Sequence, residues 1–203
     1  VGSEMCIRDR SIMTTVEPIR NKDEIKKVEK ILAHQSQRDL VLFTLGINSG
    51  LRISDILALN VGDVRMKTYI QLVEKKTGKT KKIPINAKLK PMFDTFTSKR
   101  DYDEPLFLTA FNNRLNRIAA YTIIKDACAS AGIEAHIGTH TMRKTFGYHH
   151  YKKFRDLALL QKIFNHSNPQ VTLRYIGIEQ DQIEDSYTTV SYTHLTLPTN
   201  SLV

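Results

Sequence analysis

Six residues spread along the chain combine cationic or basic side chains with one phenol: Arg52, Lys76, His140, Arg143, His166 and Tyr175. Their contexts are SGLRISDILALNVGDV around Arg52, KKTGKTKKIPI around Lys76, THTMRKTF around His140 and Arg143, and NHSNPQVTLRYIG from His166 to Tyr175. Cations around a nucleophile suit the breaking of a phosphodiester, whose nonbridging oxygens repel an attacking group and hold charge that grows in the transition state. Guanidinium groups neutralise that charge well, because their planar forks stay ionised and match phosphate oxygens in pairs. Arg52 and Arg143 are the candidates for this task. His140 and Arg143 are three apart on one expected helix, so both can face one phosphate. A phenol, with an ordinary pKa of about 10, needs nearby cations or a base to lose its proton at neutral pH, and the basic groups flanking Tyr175 would supply that field. Singly, none of these residues is diagnostic. An isolated arginine is usually a surface ion-pair partner, a tyrosine usually packs in a core, and a charge run such as Lys75 to Lys82 is usually a solvated face.

Taken together, the four contexts resemble the conserved boxes of the tyrosine recombinase (phage integrase) family, from about Asn21 to Tyr187. The resemblance implies a mainly α catalytic domain with a small antiparallel β-sheet, the DNA breaking-rejoining fold. It implies a site-specific recombinase in which Tyr175 attacks a DNA phosphate, forms a 3′-phosphotyrosyl link and releases a 5′ hydroxyl. Because the bond energy stays in that link, the family reaction uses no ATP, metal ion or other cofactor. His140 would assist proton transfer at the tyrosine, His166 would hydrogen-bond the phosphate, and Lys76, just before the hairpin turn, would protonate the leaving 5′ oxygen. Asp55 is expected either to orient Arg52 or to cap the adjacent helix. Lys75, Lys79, Lys81, Lys82 and Lys144 are expected DNA contacts. The implied partners are double-stranded DNA and further copies of the chain, a tetramer on paired sites, with Gln180 to Tyr187 resembling the piece that docks on a neighbouring protomer. Two competing functions are a type IB topoisomerase, against which the histidine of His140-x-x-Arg143 argues, and a non-cleaving DNA-binding remnant that regulates a full-length recombinase, against which the intact residue set argues. The chain departs from the family pattern at Asn165, where glycine is usual; asparagine tolerates the left-handed conformation better than other side chains. It also departs in having barely one helix before the buried one, where family members usually carry a helical core-binding domain.

The two ends are related at the level of codons. GAG ATG TGT ATA AGA GAC encodes Glu4 to Asp9, and its reverse complement encodes Val190 to Leu195. Residues 1–12 and 190–203 are therefore expected to be translated library adapter, leaving 13–189 as one catalytic domain with a full core. The formal charge of +9 belongs to that core, since Glu4 and Asp9 cancel Arg8 and Arg10. A basic domain suits a polyanionic partner. Cys128 is expected at a small apolar helix position; with no disulfide framework, membrane-length apolar run or signal peptide, a cytoplasmic protein is expected.

The elements that must position these residues follow from periodicity. Asn21 with Glu24 predicts a capped amphipathic helix through Ile25, Val28, Ile31 and Leu32, and Ser36 with Asp39 repeats the signal. Leu40 to Leu45 is apolar nearly all round, which predicts the central buried helix, ended by Gly46 to Gly50. Ser54 is expected to cap a short helix through Leu57 and Leu59 beside Arg52. Alternation from Tyr69, a Thr77-Gly78 turn and a return strand Lys81 to Ile85 predict a hairpin, with Pro84 restricted to an edge or exit position. Further helices are expected over Lys88 to Ser98, Asn116 to Ala131, Thr139 to Phe154, Asp156 to Phe164 and from Pro169 towards Tyr175, with Asp101 to Pro105 a surface loop. His149 and His150 point in different directions from one helix and are expected to be structural or exposed rather than metal ligands.

Overall fold

The computed structural model describes residues 16–73, 78 and 80–192. In chain order the described elements are α1 (Lys22–Gln35), α2 (Gln37–Ser49), α3 (Ile53–Ala58), β1 (Tyr69–Val73), β2 (Thr80–Pro84), α4 (Leu89–Thr97), α5 (Arg117–Ser130), α6 (Thr141–Phe154), α7 (Leu157–Phe164), α8 (Pro169–Ile176) and α9 (Ile178–Tyr192). The architecture is mainly helical with one small antiparallel sheet, as expected.

Helix α2 is the central element. Val41, Leu42, Phe43 and Leu45 are all fully buried, because α1, α4 and α6 pack around it. Gly46 does not end this helix. It lies inside α2, where an added Cβ would come 2.5 Å from the Met142 sulfur, so the missing side chain is what lets α6 approach. The stop is Gly50, in the left-handed conformation at φ 63° and beneath the Phe146 ring; both features select glycine.

Two caps differ from expectation. Ser36 joins α1 to α2 through its backbone, donating its N–H to the Leu32 carbonyl, and its side chain makes no capping bond. Asp39 is instead held by Arg38 at 2.6 Å. At α3 the N-cap is Arg52 rather than Ser54, since the amides of both Asp55 and Ile56 donate to the Arg52 carbonyl. The arginine thus springs from the helix start itself.

In the hairpin, Tyr69 pairs with Pro84 and Val73 with Thr80. Ile70 is fully buried, and Leu72 and Ile83 pack against the largest core cluster together with Leu45, Ile56, Phe93 and Phe107. Pro84 occupies the last strand position, where a missing N–H is tolerated. Gly78 has φ 66°, suited to a turn; Thr77 lies outside the described residues.

A second cluster joins α1, α2, α5 and α6 through Val28, Leu32, Phe43, Ile124 and Met142. Cys128 lies within it, and burial pushes its thiol up to about 12, so it is inert. A third, smaller cluster of Tyr148, Leu160, Phe164, Ile176 and Ile178 ties α7, α8 and the start of α9 to α6. Leu160, Phe164 and Ile176 are fully buried, and each contributes about 1.5–3 kcal/mol by leaving water.

Residues Val16 to Arg20 lie along α6. The Glu17 amide donates to the His136 carbonyl, the Ile19 amide to Thr145 Oγ1, and His149 Nε2 lies 3.0 Å from the Ile19 carbonyl. Arg20 then reaches Asp181 at the start of α9, at 3.0 Å. No helix among the described residues is long and apolar enough to cross a membrane.

Candidate active site

Three short stretches converge here. His140 occupies the N-cap position of α6 and Arg143 its first turn. His166 follows Asn165, which ends α7 in the left-handed conformation at φ 55° and ψ 47°. Tyr175 lies on α8, whose start is fixed by Asn168 accepting from the Val171 amide and by Pro169 in the first turn.

Arg143 is only 4 % exposed. Its guanidinium donates to the Gly50 carbonyl at 2.5 Å and to the Phe164 carbonyl at 3.1 Å, with its carbon 4.4 Å from the Phe164 ring centre. One side chain therefore links the end of α2, the end of α7 and the helix that carries it. Arg52, two residues beyond Gly50, lies 4.0 Å from the buried Asp55 carboxylate. That spacing is at the outer limit of an ion pair, consistent with Asp55 steering Arg52.

His140 Nδ1 lies 3.1 Å from the Tyr175 hydroxyl, with the two rings edge to face at 87°. Burial, then Arg117, Arg143, Lys144 and Arg52, hold the His140 pKa below its ordinary 6.5. Burial raises the Tyr175 pKa above 10, while Arg143 and Arg52 pull against it. At neutral pH the phenol is thus protonated and the imidazole neutral, and in the tautomer that carries its proton on Nε2 the phenol donates to Nδ1. His166 Nδ1 lies 3.0 Å from Thr172 Oγ1 and its ring packs against Tyr175 at 5.1 Å. Burial, Arg143 and Arg52 also keep His166 below 6.5.

Arg52, His140, Arg143, His166 and Tyr175 are therefore brought together. Lys76, Lys75 and Lys79 lie outside the described residues. Lys144, expected as a DNA contact, is corrected: it is 7 % exposed, its ammonium donates to the Val16 carbonyl at 2.7 Å, and it sits 5.1 Å from the Tyr175 ring centre. The side chain after Arg143 on α6 turns inward, beneath the phenol. Lys81 is likewise turned to protein, donating to the Ile163 carbonyl at 2.6 Å. Lys82 is exposed and lies over the Tyr69 ring at 5.2 Å.

Two participants have no marker in the sequence. Arg117 donates to Thr139 Oγ1 at 3.1 Å and, of the surrounding charges, lowers the His140 pKa most, yet it lies 23 residues from His140. Thr172 is the partner of His166, a pairing visible only once the turn between α7 and α8 is formed. His149 is structural, bonded to Ile19, and His150 stacks between Phe146 and Phe154 at 5.6 and 4.8 Å.

Known proteins share this sequence and shape. The phage integrase family model matches residues 20–181. A Bacillus subtilis protein named probable integrase/recombinase YoeC is 46 % identical over 176 residues, covering 86 % of this chain and 97 % of that one. Tyrosine recombinase XerD of Oceanobacillus iheyensis is 27 % identical over 83 % of this chain but 60 % of its own length. Among solved structures, XerA recombinase superposes with a TM-score of 0.69 at 19 % identity, covering 86 % of this chain and 66 % of that one. The catalytic domain of bacteriophage HP1 integrase superposes with a TM-score of 0.60 at 23 % identity, covering 92 % of this chain and all of that domain. The chain spans the YoeC relative almost entirely and little more than half of the XerD relative. On the family match and the 46 % identity, the chain belongs to the phage integrase family.

Proposed function

We propose that this chain is a site-specific recombinase of the tyrosine type, which cleaves and rejoins double-stranded DNA through a 3′-phosphotyrosyl intermediate. The observation that carries the reading is the 3.1 Å contact between His140 and Tyr175, with Arg143 one turn further along the helix that His140 begins. A scissile phosphate between Arg52 and Arg143 would meet two guanidinium groups whose positions are set by protein carbonyls and Asp55 before DNA arrives. Such preorganised charge is what phosphoryl transfer needs. The Tyr175 oxygen attacks phosphorus, His140 Nδ1 accepts the phenolic proton, and the bond to the 5′ oxygen breaks as Lys76 protonates it. His166, held through Nδ1 by Thr172, presents its Nε2 side to a nonbridging oxygen. Rejoining reverses these steps with a 5′ hydroxyl from a second duplex as nucleophile.

Solved neighbours support DNA as the partner. XerH recombinase has been solved bound to its difH substrate and lambda integrase as a dimer bound to a core site. A tetramer on paired sites is the proposed working unit, and a cytoplasmic location follows from that substrate. The decisive experiment incubates the protein with nicked suicide duplexes whose flanks are randomised, then recovers covalent adducts. Wild-type protein should yield adducts enriched in one sequence, and Tyr175→Phe should bind DNA but yield none. Equal adduct formation by the two would assign the nucleophile elsewhere; no adduct from either would leave a DNA-binding module.

A further inference from the structure

The last turn of α7 is a junction between elements that are far apart in sequence. The final four carbonyls of a helix have no intrahelical donor, and that end carries partial negative charge that favours cations. The Lys162 carbonyl takes the Asn165 amide. The next two take cations from other elements: the Ile163 carbonyl accepts from Lys81 Nζ at 2.6 Å and the Phe164 carbonyl from Arg143 at 3.1 Å. Asn165 and His166 follow directly.

Lys81 lies on β2 opposite Leu72, one position from Thr80, where the described strand begins after the turn. The base of the hairpin is anchored by Ile70 in the core. Beside Lys81 to Ile83 of β2, a cavity of about 280 Å³, lined also by Ser49, Leu51, Lys162 and Ile163, separates the strand from α7. The Lys81 side chain crosses this gap.

We propose that Lys81 is a positioning residue for cleavage, which by capping α7 fixes the hairpin that carries Lys76 in register with Arg143 and His166. The inference rests on the reading of Lys76 as the acid. A general acid must come within about 2.6–3.2 Å of the atom it protonates, and a two-stranded hairpin by itself is marginally stable. A displacement of 1 Å can cost about 100-fold in rate. Arg143 and Lys81 bind adjacent carbonyls, so one helix end sets both the cation facing the phosphate and the strand leading to the acid. A basic residue of β2 is used to hold the strand against α7, not to hold DNA.

The test measures single-turnover cleavage of the duplex recovered by covalent trapping, made with either oxygen or sulfur at the 5′-bridging position. As the Tyr175 oxygen bonds to phosphorus, an oxygen leaving group must take a proton, whereas sulfur departs as a thiolate and needs none. Lys81→Met keeps the aliphatic stem and removes the donor. It should cleave the oxygen substrate ~10–100-fold more slowly, and the sulfur substrate within about 3-fold of wild type, as Lys76→Ala should. DNA affinity and its salt dependence should not change, and Lys81→Arg, which retains a donor, should stay near wild type. Lys81→Gln replaces Lys81→Met if the latter does not fold. Equal impairment on both substrates, or a loss of affinity with a shallower salt slope, overturns the inference and makes Lys81 a phosphate contact. If Lys76→Ala is rescued by sulfur and Lys81→Met is not, the inference alone fails; if neither is rescued, the assignment of Lys76 fails and the inference falls with it.

Discussion

Arg143 meets Phe164 twice, donating to its carbonyl at 3.1 Å and lying 4.4 Å from its ring centre. The second hydrogen bond from the same guanidinium, to Gly50, needs a planar fork with donors on both arms. Arg143→Lys preserves charge but offers one compact ammonium, so one buried carbonyl loses its donor at a cost of about 1–3 kcal/mol. A lowered urea midpoint together with lost cleavage is the expected result. An unchanged midpoint would mean that the two carbonyl bonds are not held together in solution.

The His140–Tyr175 contact sets the pH dependence. His140 must be neutral to accept the phenolic proton, and burial with its cationic neighbours holds its pKa below 6.5. Cleavage should therefore be lost as pH falls through that lowered value and be sustained at neutral pH. In His140→Asn the same limb should flatten and the overall rate drop. A wild-type profile that instead falls with rising pH through neutrality would mean that the imidazolium is the active form.

Four histidines, His140, His149, His150 and His166, share a lowered pKa, each with burial as the largest cause. The unfolded chain then takes up protons at higher pH than the folded one. Their contribution to stability is complete above about 6.5 and is lost as pH falls through the folded values. Melting temperature should decline on acidification through that window, and His149→Gln, remote from the reacting groups, should weaken the decline. A flat melting temperature from neutrality to below the lowered values would contradict the burial.

Gly147 marks a close approach of α6 to the ends of α7 and α8. A Cβ there would lie 2.6 Å from Ile176 Cγ2 and 2.7 Å from the Phe164 ring. Gly147→Ala should destabilise the protein by about 1–3 kcal/mol through overpacking. Because Ile176 adjoins Tyr175, cleavage should fall further than the fraction unfolded explains. Wild-type activity in this variant would show that the small cluster around Phe164 yields easily.

Removal of residues 1–12 and 190–203, which takes away the last three residues of α9 (Ile178–Tyr192), tests the proposal that these ends are not part of the domain. The melting temperature of 13–189 should stay within about 2 °C of the full chain, less than the shift expected from losing 1 kcal/mol in a domain of this size. A larger loss would give the ends a share in the fold.

The sequence made the central helix legible because no face of Leu40 to Leu45 is polar, and it made the hairpin legible because alternation and turn residues coincide. The tolerance of Asn165 for the left-handed conformation was also readable, and the structure uses it to turn from α7 into His166. The direction of a charge was not readable. Lys81 looks like its exposed neighbour Lys82, and Lys144 like one more cation beside Arg143, yet each ends on a carbonyl supplied by a distant segment, Ile163 or Val16. Ser54 looked like a cap by residue type, whereas the backbone bonds made at Arg52 decide where α3 begins. Side-chain chemistry can be read from a pattern, but the partner that bends a lysine inward belongs to the tertiary fold.

The clasp between Arg20 and Asp181 joins residues 161 positions apart, and Asp181 also accepts a hydrogen bond from Tyr148 of α6 at 2.9 Å. The segment before α1 and the helix after Tyr175 are therefore fastened to one another as well as to α6. Fraying from either side must disturb the same carboxylate, so the two sides should open as one cooperative unit. In hydrogen exchange, the amides of Glu17 and Ile19, which donate to His136 and Thr145, should lose protection together with those of α8. The nucleophile's own helix would then be only as persistent as a five-residue strap more than 150 residues away from it in sequence.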